Sequence, residues 1–170
     1  MRAWRRDGAG ATCGMLPDEA DMLANLGRQV VGLHRAVVDR QAALDDAVME
    51  RLYPSAYGSA EDAAEFRRLA AGDIATDRIR TMMRMVVDLE TALPAEGDDR
   101  DDAELRISVD AEGVDAWLRS LGEVRLVLSV RTTQPRAALA PDVTDEDIAQ
   151  LRDVIDWLGF AQSTLLEALE

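Results

Sequence analysis

"PDEADMLANLGRQVVGLHRAVVDRQA", residues 17–42, decides the architecture. Pro17 sits where a first helical turn would be, the one place where its missing N–H costs nothing. Asp18 and Glu19 follow and suit the positive end of a helix dipole. Leu23, Leu26, Val30, Leu33 and Val37 then recur at alternating steps of three and four. That spacing predicts one long helix over about 17–42 with a heptad seam to bury. The end of the chain repeats the device. Thr144 reads as an N-cap with Asp147 at the third position. Behind it runs a second seam of Ile148, Leu151, Ile155, Leu158, Gln162, Leu165 and Leu169. Two seamed helices predict a mainly helical bundle in which the first and last long helices pack together.

Working outward from the first helix, Asp45 or Asp46 is placed to cap a short helix that stops at Tyr53. The residue before a proline resists helical angles. "ERLYPSAYGSAEDAAEFRRLA", residues 50–70, carries the only two tyrosines, Tyr53 and Tyr57, around that stop. Ser59 then reads as an N-cap with Asp62 in a box-like position. The next helix spans 60–71 and ends near Gly72, a natural C-cap. Asp73 starts another that runs to about Leu93, with a stripe of Ile79, Met82 or Met83, Val86, Leu89 and Leu93. The tyrosines read as a stitch: Pro54 ends a helix, and Tyr53 and Tyr57 clamp the turn onto the core. Arg67 and Arg68 are near enough in sequence to pair with Glu61 or Glu65.

Residues 1–16 hold Asp7-Gly8, a hairpin turn signal, between "RAWRR" and "ATCGML". "PAEGDDRDDAE", residues 94–104, has no apolar period and reads as an acidic mobile loop. "LRISV" at 105–109 alternates like a strand. Asp110 can cap a helix whose core face is Val114, Trp117, Leu118, Leu121, Val124 and Leu128. A loop, "TTQPRAALAPDV", separates it from the last helix. The expected fold class is therefore mainly α. It is a single domain over 1–170 of about six helices, with a small N-terminal β-hairpin or three-stranded sheet.

Composition narrows the function. The chain has 170 residues, 48% of them hydrophobic and only 4% aromatic, so a real core must be built from aliphatic side chains and Met. A net charge of −14 repels phosphate backbones and speaks against direct nucleic-acid binding. It speeds encounter with basic partners. All 19 basic residues are Arg, as codon usage in a G+C-rich genome would give. No run of 18 apolar residues exists to span a membrane, and the start lacks a secretory core, so a cytoplasmic protein is expected. With one Cys, no disulfide can form within the chain.

Familiar chemistry is missing. His34 is the only histidine, so imidazole metal sites or Ser-His pairs would rest on it alone; it reads as an ordinary helix residue. No phosphate-binding glycine motif appears. Glu61, Asp62 and Glu65 could bind magnesium, as in helical nucleotide-processing enzymes, but acidic residues at a helix start need no metal to explain them. No catalytic residue or cofactor is assigned. Cys13 lies near Arg5 and Arg6, which could lower its pKa; its plainer reading is a small apolar strand residue. Gln162 interrupts an apolar seam and reads as a register device. It should be buried and hydrogen-bonded, and Gln162→Leu should raise thermal stability.

Four blocks together suggest a family: "MRAWRR" at the start, "RLYPSAYGSAEDAAEFRRL", "VDAWLRSLGEVRLVLSVR" and "VIDWLGFAQSTLLEAL". The chain resembles the actinobacterial domain-of-unknown-function family encoded near the Clp protease adaptor ClpS, which includes AosR-like oxidative-stress transcription regulators. The resemblance covers nearly the whole chain. It implies a regulator that acts by protein–protein contact with a stress sigma factor or RNA polymerase, and that senses redox state through cysteines. A homodimer, or an accessory role in Clp degradation, is also compatible with it. Tyr53, Tyr57, Arg67, Trp117, Arg125, Trp157 and Gln162 fall in the matching blocks as structural or partner positions. The chain departs from the family in having Cys13 alone, in Gly122-Glu123 where Asn-Asp is frequent, and in Ser129 where Gly is common. A sensing Cys13 would have to be exposed, its thiolate favoured by Arg5 or Arg6.

Overall fold

A computed structural model describes residues 1–41, 47–54, 60–93, 103–134 and 143–170, with side chains from residue 70 onward in the helix that starts at Ala60. Strands β1 (Arg5–Asp7) and β2 (Gly10–Met15) form the hairpin that Asp7-Gly8 signals. Gly8 takes φ +61° at the first position of the two-residue turn, a conformation open to glycine without a Cβ penalty. Strand β3 (Leu105–Val109) joins the other edge of β2, so the antiparallel order is β1-β2-β3. The sheet is three-stranded because the 105–109 alternation finds its partner ninety residues upstream, with Cys13 opposite Ile107.

Five helices follow among the described residues: α1 (Pro17–Val38), α2 (Ala47–Leu52), α3 (Ala60–Ala92), α4 (Ala111–Thr133) and α5 (Asp145–Glu167). The caps are the expected ones where they can be seen. Asp110 accepts from the Gly113 N–H at 2.7 Å, and Thr144 and Asp147 close a reciprocal box. Tyr53 lies just past the end of α2, as the following proline requires. The proposed caps at Asp45, Asp46 and Ser59 lie outside the described residues.

Three expectations need correction. Helix α1 ends at Val38 rather than near 42. Arg40 adopts φ +55°, its N–H bonds to the Val37 carbonyl, and the Gln41 N–H reaches back to Ala36. That is a Schellman stop built on an arginine where glycine is usual, which hides it from a composition-based reading. The helices read as 60–71 and 73–93 are one, α3, running through Gly72. A mid-helix glycine costs only about 1 kcal/mol, and no proline follows to enforce a break. The Thr76 hydroxyl bonds back to the Gly72 carbonyl across the expected gap. Finally, the first and last long helices do not lie along one another. Helix α1 lies along α3, and α5 lies along α4. The 33-residue α3 supplies the surface that α1 needs, and Gly27 lets the two approach until Val86 fills the place a Cβ would take.

The core sits between the inner face of the sheet and helices α1, α3 and α4. Met15, Leu23, Met82, Leu89, Ile107 and Trp117 are fully buried there. Trp117 meets Trp4 edge-to-face at 5.1 Å and donates its indole N–H to Asp88 at 2.9 Å. No helix among the described residues is long and apolar enough to cross a membrane.

Candidate functional site

Two polar constellations lie inside the helical layer. The first centres on His34. Its position, four residues after Val30 and three before Val37, puts it on the buried face of α1, and it is fully buried. The Nδ1 atom lies 2.6 Å from the Tyr53 hydroxyl, with the two rings edge-to-face. Nε2 lies 3.1 Å from a Glu123 carboxylate oxygen, near enough for an ion pair but out of line for a hydrogen bond. Arg78 donates to the other Glu123 oxygen, and its guanidinium also stands 5.1 Å over the Tyr53 ring. His34 thus joins α1 to the end of α2 and to α4, and Arg78 ties α3 to the same group.

The order phenol, imidazole, carboxylate has the outline of a nucleophile array, but its chemistry points elsewhere. Burial pushes the Tyr53 phenol up to about 12; the Arg78 charge opposes this and Glu123 reinforces it. A phenol held protonated, turned inward and buried offers no nucleophile at neutral pH. The arrangement serves as a polar lock between four elements.

The second constellation is the α4–α5 seam. Gln162 is half-buried. Its carbonyl oxygen accepts from Arg125 at 2.7 Å and its amide N–H bonds to the Leu118 carbonyl at 3.3 Å. Gly122 lies opposite Gln162 and Gly159 opposite Arg125, so each long side chain fills the space the other helix leaves. Two buried N–H groups of α4 and α5 have no hydrogen-bond partner among the described residues: Arg125 Nε and Trp157 Nε1.

Cys13 corrects an expectation. It is buried in β2, not exposed, and desolvation pushes its thiol up to about 12 rather than down. Neither Arg5 nor Arg6 favours its thiolate. The plainer reading, a small apolar strand residue, describes its place. Tyr53 is the stitch that the sequence predicts, except that its hydroxyl reaches buried His34 rather than the core edge. Tyr57, and the side chains of Arg67, Arg68, Glu61, Asp62 and Glu65, lie outside the described residues. The residues missed by the sequence reading are His34, Arg78 and Glu123. His34 had a usable signal in its spacing from Val30 and Val37; Arg78 and Glu123 had none, because each flanks a core stripe as many solvated charges do.

The fold and these side chains define a mainly helical protein with a small antiparallel sheet, whose buried polar groups tie helices together. Residues 1–169 match the family model described as a domain of unknown function (DUF2017), and the chain belongs to that family. No curated protein and no solved structure matches it.

Proposed function

We propose that this chain is a cytoplasmic regulator, not an enzyme, and that it acts by docking α5 on a basic protein partner. The observation that carries this reading is the outer face of α5. Phe160 is 46% exposed there. Asp156 precedes it by four residues, Asp153 by seven, and Glu167 follows by seven, all exposed and all on one side of the helix. An exposed aromatic amid carboxylates has the make-up of an interface anchor with a charged rim. Leu166 and Leu169, 50% and 38% exposed, lie on other sides of the chain near the end of α5 and are not part of this face. The resemblance to AosR-like actinobacterial regulators makes RNA polymerase or a stress sigma factor the first partner to try, and transcription the process. Burial of Cys13 speaks for a signal that enters by a route other than thiol oxidation.

The test is direct binding of the purified chain to RNA polymerase, with and without a stress sigma factor, at two salt concentrations. A complex that weakens with salt, and weakens about tenfold or more in Phe160→Ala, is expected. Absence of any complex at low salt would remove the transcription reading.

A further inference from the structure

The open face of the sheet carries a feature that the helices do not. A cleft of about 260 Å³ lies over β2, lined by Arg2, Arg5, Arg106, Thr12, Gly14 and Glu104 among others. The register explains the gathering. Arg5 stands opposite Thr12 and Arg106 opposite Gly14, so the two arginines flank successive outward positions of the central strand from its two edges. Three arginines converge here on a chain whose net charge is −14. Two of them are engaged. Arg2 pairs with Glu104 at 2.7 Å, and the Glu104 carboxylate lies in the space a side chain at Gly14 would fill. Arg106 donates to Asp7 and to the Thr12 hydroxyl, each at 3.2 Å. That hydroxyl in turn donates to the Ile107 carbonyl, so Arg106 is oriented over the strand. Arg5 has no acidic partner among the described residues.

We propose that this cleft binds a small phosphate-bearing molecule, with its oxyanion held between Arg5 and Arg106 over Thr12, beside the Glu104 carboxylate that covers Gly14. Guanidinium groups match oxyanions through paired N–H donors, and a fixed arginine loses little freedom when it binds. Arg5 supplies the uncompensated charge, and Arg106 is turned toward the cleft by its bonds to Asp7 and Thr12. Glu104, paired with Arg2, bounds the cleft, and its carboxylate together with Asp7 disfavours a ligand that is anionic along its whole length, such as a nucleic acid strand. The volume suits a small metabolite rather than a dinucleotide. The site is separate from the outer face of α5 and stands or falls without it.

The experiment is NMR titration of the full chain with inorganic phosphate, pyrophosphate and citrate at constant ionic strength, with chloride as the control. The expected result is saturable shifts of the Thr12, Cys13 and Gly14 amides with phosphate or pyrophosphate. Arg5→Glu should weaken binding about tenfold or more while leaving the melting temperature unchanged, because Arg5 is exposed and unpaired. Arg5→Lys should restore part of the affinity. Shifts that stay linear, that match chloride, or that survive Arg5→Glu would overturn the proposal. Saturation by citrate alone would overturn the phosphate assignment, and tight binding of an oligothymidylate without binding of pyrophosphate would overturn the small-molecule one.

Discussion

The His34 lock and the Gln162 seam are both polar insertions between helices, yet they are built to different standards. His34 is fully buried and meets Tyr53 and Glu123, which Arg78 of a third helix joins in turn. Gln162 is half-buried and meets only α4. At the lock the imidazole and phenol are sealed from solvent, while Glu123 is partly buried and Arg78 about one-third exposed. Along the seam, α5 has one main neighbour and leaves Phe160 and Leu166 in solvent. A mostly buried carboxylate shared by two partners is costly to remove, because those partners stay behind with little access to water. A polar pair at a two-helix seam can be exchanged or re-solvated. The lock therefore belongs to the fold, and the seam belongs to the side of the molecule free to meet something else.

The largest test of this contrast is Glu123→Ala. It removes the carboxylate that faces both His34 and Arg78, and should cost about 3 kcal/mol or more by chemical denaturation. A loss under about 1 kcal/mol would mean that water already reaches the lock. Tyr53→Phe comes next, at about 1–3 kcal/mol, since it strips His34 Nδ1 of its partner.

Tyr53 also gives the lock a pH signature. Its folded-state pKa is raised from 10.0 to about 12, chiefly by burial. Below pH 10 the phenol is protonated in both states and the full stability is present. Between pH 10 and 12 the unfolded state releases its proton first, so stability falls as pH rises through that window. Cys13, raised from 9.0 to about 12, bends the curve the same way from pH 9. A denaturation series in Cys13→Ala, with and without Tyr53→Phe, separates them. The slope between pH 10 and 12 should flatten in the double variant; an unchanged slope would place its origin elsewhere.

At the seam the structure reverses an expectation. Sequence alone predicts that Gln162→Leu stabilises, as replacing a polar residue in an apolar stripe often does. Gln162, however, is the acceptor for Arg125, whose Nε is already without a partner. Gln162→Leu alone should therefore cost about 1 kcal/mol, and Gln162→Leu combined with Arg125→Met should recover most of it. Additive losses in the double variant would show that the two side chains do not act as a pair.

The difference between lock and seam also explains what could be read from the sequence. Periodicity and caps are local, so the Leu23–Val37 stripe, the Asp110 and Thr144 caps, the Asp7-Gly8 turn and the 105–109 strand were all legible. Gln162 stood out because it broke a stripe. His34, Arg78 and Glu123 are separated by 45 residues or more along α1, α3 and α4, apart from the 44 between the first two, and only the packing of three helices brings them together. Which helix pairs with which was equally illegible, because a heptad seam states that a partner exists without naming it. Gly72 misled for a related reason: a glycine C-cap is a local signal, and the packing of the whole of α3 outweighs it.

The smallest predicted effect comes from a pair of Gly→Ala substitutions made at two helix crossings, one on α1 and one on α5. Gly27 lies where α1 crosses α3, and Gly159 where α5 crosses α4. A Cβ at Gly27 would come within 2.7 Å of a Val86 methyl, a stiff side chain buried between the helices. Gly27→Ala should cost about 1–3 kcal/mol, because neither backbone can move away without opening the core. A Cβ at Gly159 would instead meet the end of the Arg125 side chain at 3.3 Å, and that guanidinium can swing toward solvent. Against this stands the gain of about 0.5–1 kcal/mol when Ala replaces Gly inside a helix. Gly159→Ala should therefore be neutral or slightly stabilising, while the Arg125–Gln162 bond lengthens. Thermal melts of the two single variants read the difference directly. Equal losses at both positions would mean that α5 is held as tightly as α1, and that its outer face, not its seam, is the only part of the helix left for a partner.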